Sequence, residues 1–238
     1  VMKQAAEHLT SVTLELGGKS PAIVDKTANL KETARRLLLV KYLINGQICI
    51  APDYVLVHEE VSEKFAKILQ EVTRLFIGDN AQTSENYSRI INHTQHTRMK
   101  ELLADSRAKG DVIIEGGNSE DDDNFIEPTI ILSKSNDSRI LKEEIFGPIL
   151  PVIVYDQLET VVDQINEAPK PLAAYIFTSK ATTQDYFLTK VSFGGGAVND
   201  AIMHITNPNL PFGGVGQSGT GSYHGKAGFD TFSHRKSV

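Results

Sequence analysis

The chain has 238 residues, 40% hydrophobic and 23% charged, values ordinary for a soluble globular protein of one large domain or two small ones. Lys and Arg number 24 against 30 Asp and Glu, a formal net charge of −6. Without a basic run, that balance argues against a nucleic-acid or anionic-membrane binder. No apolar stretch approaches the length of a membrane span, and the first eight residues hold no signal-peptide pattern. The one cysteine, Cys49, rules out an intramolecular disulfide and a cysteine-rich metal site, so the expected location is cytoplasmic.

In chain order, Val12–Leu16 and Pro21–Val24 read as strands. Asn29 followed by Glu32 resembles a capping box, predicting a helix that runs to Leu43-Ile44 and stops at Asn45-Gly46. Tyr54–Val57 is the next strand, and Phe65, Ile68, Leu69, Val72 and Leu75 mark a helix broken by Gly78-Asp79-Asn80. A helix over Gln95–Lys109 precedes strands at Val112–Ile114, Thr129–Leu132 and Leu150–Val154. A helix through Val161 to Ala168, a strand at Ala174–Phe177, a helix over Gln184–Lys190 and a strand at Gly196–Asn199 complete the pattern. Helices alternating with apolar strands predict an α/β fold with a mostly parallel sheet covered on both faces.

Nine of the eighteen glycines fall between Gly194 and Gly225, and no helix or strand is predicted between Asn207 and Gly228. So long an irregular segment points to function. The acidic run Glu120–Asp123 reads as a solvated loop.

Two phosphate-loop look-alikes fail. Gly18-Lys19-Ser20 has Thr13 where a P-loop needs glycine, and Gly214–Gly219, despite its spacing, follows no strand and opens no helix. His93 and His96 could share a helix face, but they read as ordinary exposed histidines, and no metal is assigned.

Cys49 has a plain reading as a small buried hydrophobe. Against it stand Gly46 and Pro52, which bracket a turn where a side chain and its own N–H can face a cleft. A free thiol titrates near ~8.5 and needs help to ionise at neutral pH. Glu15 lies inside an apolar strand before Gly17-Gly18. It is either exposed at an edge, or partly buried with a raised pKa that suits a general base.

These residues meet a known pattern. Leu14-Glu15-Leu16-Gly17-Gly18-Lys19-Ser20-Pro21 and Gly46-Gln47-Ile48-Cys49 resemble the two active-site signatures of the aldehyde dehydrogenase superfamily, including their separation of 34 residues. Glu143-Glu144-Ile145-Phe146-Gly147-Pro148 is similar to its third motif and Pro211-Phe212-Gly213-Gly214 to its C-terminal loop. Ala51-Pro52-Asp53-Tyr54-Val55, Gly225-Lys226 and Phe232-Ser233-His234 resemble the class 3 branch, which takes fatty and aromatic aldehydes.

The resemblance implies an NAD- or NADP-dependent oxidation of an aldehyde substrate. Cys49 would attack as thiolate, giving a hemithioacetal and then a thioester, and Glu15 would deprotonate the hydrolytic water. The Cys49 N–H would be one oxyanion donor. Glu144 would bind the nicotinamide-side ribose, Phe146 would pack beside it, Leu16 and Gly17 would line the nicotinamide pocket, and Phe212 would wall the substrate tunnel.

Members of the family are longer. The resemblance therefore divides the chain into residues 1–16, the end of a missing N-terminal cofactor-binding domain, and 17–238, the catalytic domain. The missing part also carries an asparagine as second oxyanion donor. Class 3 resemblance further implies a homodimer. Two other readings stand beside this one: an acylating, coenzyme-A-dependent relative, and a folded but inactive isolated module.

Overall fold

The computed structural model describes residues 1–238. It begins with α1 (Met2–Ala6), β1 (Leu14–Glu15), β2 (Pro21–Val24), α2 (Leu30–Tyr42), β3 (Tyr54–His58), α3 (Glu59–Ile77) and α4 (His93–Ala108). There follow β4 (Val112–Glu115), β5 (Ser119–Glu120), β6 (Phe125–Ile126), β7 (Thr129–Leu132), α5 (Arg139–Lys142) and β8 (Ile149–Tyr155). The last elements are α6 (Leu158–Glu167), β9 (Ala173–Phe177), α7 (Ala181–Lys190), β10 (Gly195–Val198), β11 (Gly219–Thr220) and α8 (Gly225–Thr231).

Local chemistry sets the helix starts. The Asn29 side chain accepts the Glu32 N–H at 3.3 Å and opens α2, and the Asn92 side chain accepts the Gln95 N–H at 2.9 Å to open α4. The helix α3 ends at Gly78, whose φ of 87° and ψ of −171° form a backbone conformation that only glycine adopts readily.

Seven strands form one sheet in the order β10-β9-β2-β3-β8-β7-β4. All neighbours are parallel except β4, which runs antiparallel to β7. Every residue of β2 and of β9 is buried, as expected for strands covered on both faces. Alternation sorts the side chains. Ala22, Val24, Val55, Val57, Tyr175 and Phe177 face a core shared with Leu37, Leu38 and Leu69 of α2 and α3. Ile23, Leu56 and Ile176 face Val161 and Ile165 of α6 and Phe187 of α7. Helix α4 packs Met99, Leu102 and Leu103 against Ile131 and Ile149.

Several sequence expectations need correcting. The strand expected over Val12–Leu16 contracts to Leu14–Glu15, because its partner β11 is itself only two residues long. The glycine-rich end is not structureless: it holds β11, a Phe212–Tyr223 bridge and helix α8. These depend on pairing with distant chain, which short-range periodicity does not report. His96 is fully buried, its Nε2 lying 3.0 Å from the Phe125 carbonyl oxygen, whereas His93 is exposed. The inward stripe of α4 includes position 96 along with Met99 and Leu103. The acidic run forms the turn of the β5–β6 hairpin, with Asp121 paired to Lys100 and Asp123 to Arg89.

Candidate functional site

Three segments that lead into strands converge at one edge of the sheet. Glu15–Lys19 precedes β2, Gln47–Asp53 precedes β3, and Glu143–Pro148 precedes β8. Because β2, β3 and β8 are parallel neighbours, their amino ends lie side by side. Open parallel sheets commonly bind ligands at the carboxyl ends of strands, so this site uses the opposite rim.

The turn that presents Cys49 begins where α2 gives way to a tight 3₁₀ turn over Leu43–Gly46. Ile44, Asn45 and Gly46 are all left-handed there, with φ of 49°, 53° and 69°. Such a run costs free energy unless the surroundings enforce it. They do: buried Asn45 donates to the Ser88 carbonyl oxygen at 3.0 Å, and Gln47 donates to the Ile44 and Arg89 carbonyl oxygens at 2.9 and 3.1 Å. A Cβ at Gly46 would stand 2.5 Å from the Gly147 carbonyl oxygen, so glycine is required for the cysteine turn to touch the Glu144 segment. Beyond the sulfur, the buried Tyr175 hydroxyl donates to the Ile50 carbonyl oxygen at 2.7 Å. Lys41, fully buried, donates to the Pro52 carbonyl oxygen at 3.0 Å, and burial pulls its ammonium pKa down to about 8.

Cys49 is half-buried, and its Sγ lies 3.2 Å from Glu15 Oε1. The thiol pKa is pushed up to about 12, first by burial and then by the hydrogen bond to Glu15 and its charge. The sulfur therefore rests as a thiol that donates to a carboxylate, with no cation beside it. Sequence reasoning expected help toward ionisation; the structure supplies a proton acceptor instead. The Cys49 N–H makes no backbone hydrogen bond and lies against its own sulfur.

Glu15 is exposed, which matches the edge alternative for this residue. It pairs with Gly219 across the β1–β11 ribbon, and its Oε2 accepts the Tyr223 hydroxyl proton at 2.6 Å. Tyr223 was not singled out by sequence. The only signal was an aromatic residue in a glycine-rich, irregular stretch.

Phe212 is 4% exposed, with its ring stacked on His204 and His224 and set edge-on to Tyr223. Its ring centroid lies 6.1 Å from that of Tyr223. Leu16 is exposed. Phe146 is partly exposed and left-handed, with φ of 51°.

Glu144 is partly buried, and that burial raises its carboxyl pKa even though the Gly18 N–H donates to it. Gly17 has φ of 82°, and a Cβ there would come within 3.1 Å of both Glu144 oxygens. The missing side chain leaves space in front of the carboxylate. A cavity of about 720 Å³ adjoins it, with Gly18, Lys19, Tyr54, Glu144 and Pro171 in its wall. Cys49 and Glu144 thus occupy one rim, the first hydrogen-bonded to Glu15 and the second beside a cavity. No group of three or more His, Cys, Asp or Glu is placed to hold a metal, and no helix is long and apolar enough to cross a membrane.

The sequence profile of the aldehyde dehydrogenase family matches residues 1–238. The chain is 47% identical over 237 residues to 4,4'-diaponeurosporen-aldehyde dehydrogenase of Staphylococcus aureus, covering 100% of this chain and 51% of that protein. It is 45% identical over 239 residues to aldehyde dehydrogenase family 3 member H1 of Arabidopsis thaliana, covering 100% of this chain and 49% of that one. The solved substrate-bound state of Staphylococcus aureus AldH superposes with a TM-score of 0.94 at 45% identity, over 100% of this chain and 52% of that one. The chain spans about half the length of the curated relatives it matches. Family profile, relatives and fold therefore agree: the chain belongs to the aldehyde dehydrogenase family, with class 3 members among its relatives.

Proposed function

We propose that this chain is the thioester-forming half of an aldehyde dehydrogenase and works with a cofactor-binding half like that of its longer relatives. The observation that carries this reading is the 3.2 Å approach of Cys49 Sγ to Glu15 Oε1 across 34 residues of sequence. As an aldehyde carbon bonds to sulfur, the thiol proton passes to Glu15, and the carbonyl oxygen meets the free Cys49 N–H. Glu15 faces solvent and returns that proton to water, which readies it for a second proton transfer.

A nicotinamide dinucleotide, when bound, supplies the acceptor for the hydride that leaves the hemithioacetal carbon. Glu144 and Gly17 fit such a group, because a carboxylate with no Cβ in front of it suits a pair of ribose hydroxyls. Leu16 and Phe146 are exposed beside it and would pack on the cofactor. The cofactor is NAD or NADP. Phe212 shapes the substrate side through the aromatic cluster under Tyr223.

In the second half of the reaction Glu15 takes a proton from water as that water attacks the thioester, releasing the acid and restoring the thiol. A base hydrogen-bonded to the sulfur favours hydrolysis over acyl transfer to coenzyme A. The class 3 resemblance extends this reading to a cytoplasmic homodimer, with residues 1–16 continuing from the cofactor-binding half.

The test is Cys49→Ala in the enzyme assembled with its cofactor-binding half. It should abolish both aldehyde oxidation and ester hydrolysis, and retained oxidation would remove Cys49 from the nucleophile's role.

A further inference from the structure

Glu143–Pro148 is irregular chain between α5 and β8, so its position depends on side chains from elsewhere. Lys19 Nζ donates to the carbonyl oxygens of Ile140 and Glu143, both at 2.8 Å. Asp53 Oδ1 accepts the Ile145 N–H at 2.8 Å. Arg98 donates to the carbonyl oxygens of Glu144 and Ile145 at 3.0 and 2.5 Å. Lys19 and Asp53 are also ion-paired to each other, with Asp53 almost fully buried.

The origin of the pair matters. Lys19 follows Glu15 by four residues, and Asp53 follows Cys49 by four. Both sit just before adjacent parallel strands whose register sets Pro21 opposite Tyr54, and the Asp53 N–H donates to the Ser20 carbonyl oxygen at 2.8 Å. The two charges thus join the base segment, the nucleophile segment and the Glu144 segment at one point.

A buried ion pair adds little stability over a well-packed apolar pair, so stability alone is a weak reason for this one. We infer that Lys19 and Asp53 are positioning residues, fixing the Glu144 carboxylate at a set distance from the Cys49 sulfur. The inference rests on the proposed reading of Glu144 as the cofactor's ribose acceptor. Neither residue touches the reacting atoms. Each acts through backbone atoms of residues 140–145.

The experiment compares Asp53→Asn, Lys19→Met, Lys19→Arg and Glu144→Gln in the assembled enzyme, with thermal melts to show folding. Ester hydrolysis, which needs Cys49 and Glu15 but no cofactor, is measured beside cofactor KM and kcat for aldehyde oxidation. A misplaced binding group costs about tenfold or more. Cofactor KM should therefore rise by about that factor in Asp53→Asn and Lys19→Met, with ester hydrolysis held within about twofold and Lys19→Arg recovering part of the loss. Folded Asp53→Asn and Lys19→Met enzymes with normal cofactor KM, beside a Glu144→Gln enzyme whose KM is raised, would overturn the positioning role and leave the reading of Glu144 standing. An unchanged cofactor KM in Glu144→Gln would overturn that reading, and this inference with it.

Discussion

Tyr223 donates its hydroxyl proton to Glu15 Oε2 at 2.6 Å, a contact between residues 208 positions apart. The other carboxylate oxygen takes the Cys49 thiol, so both are engaged and the side chain is held in one orientation. The same bond, with some burial, pushes the Tyr223 hydroxyl pKa up to about 12. Tyr223 is anchored in turn by paired backbone hydrogen bonds with Phe212 at 2.7 and 2.8 Å.

Tyr223→Phe should therefore loosen the base without removing it. A hydrogen bond to a charged group contributes about 1.5–3 kcal/mol, and solvent exposure places this one at the low end. Thioester hydrolysis should slow by about tenfold, while the first burst of reduced cofactor keeps its amplitude. Pre-steady-state absorbance separates the two phases. A reduced burst with normal steady-state turnover would contradict a role at the base.

Cys49 should report directly on Glu15. With the thiol pKa near 12, alkylation by iodoacetamide should climb steadily from pH 7 to 10 without a plateau. Glu15→Gln removes the negative charge, so the thiol pKa falls, although burial, the larger cause, remains. Each unit of that fall gives about tenfold more thiolate at a fixed pH, and labelling should accelerate accordingly. Mass-spectrometric labelling rates at pH 8 check this. Equal or slower labelling would mean that the carboxylate does not face the sulfur.

Gly46→Ala should be costly. The residue has φ of 69°, and its Cβ would meet the carbonyl oxygens of Gly147 and Lys41 at 2.5 and 2.9 Å. Strain and overpacking together should remove roughly 2–4 kcal/mol. Gly78→Ala is the control: its φ is 87°, but nothing lies within 4 Å of the added Cβ. It should cost about 1–3 kcal/mol from the backbone conformation alone. Urea unfolding of the two variants measures both losses, and a Gly46→Ala variant as stable as the parent would contradict the close approach of the cysteine turn to Gly147.

Much of the fold could be read from periodicity and caps. The helix opened by Asn29 and the buried strands Pro21–Val24 and Ala173–Phe177 occur close to where the pattern puts them. His96 was misjudged because polar neighbours in sequence say little about which stripe of a helix turns inward. The β1–β11 ribbon was only half legible, because its second strand lies some two hundred residues from the first.

The sequence by itself determined the alternation of helices and strands, the glycines at its turns, and the presence of one cysteine and one strand carboxylate in recognisable motifs. These are local properties, set by side-chain period, capping and backbone freedom. Tertiary structure alone decided that Glu15 meets Cys49 on one oxygen and Tyr223 on the other, and that Lys19 and Asp53 clasp the Glu144 segment. Those contacts follow from the strand order β9-β2-β3-β8, which brings separate chain segments to one rim. Strand order is a property of packing among distant residues, and no window of neighbouring residues contains it.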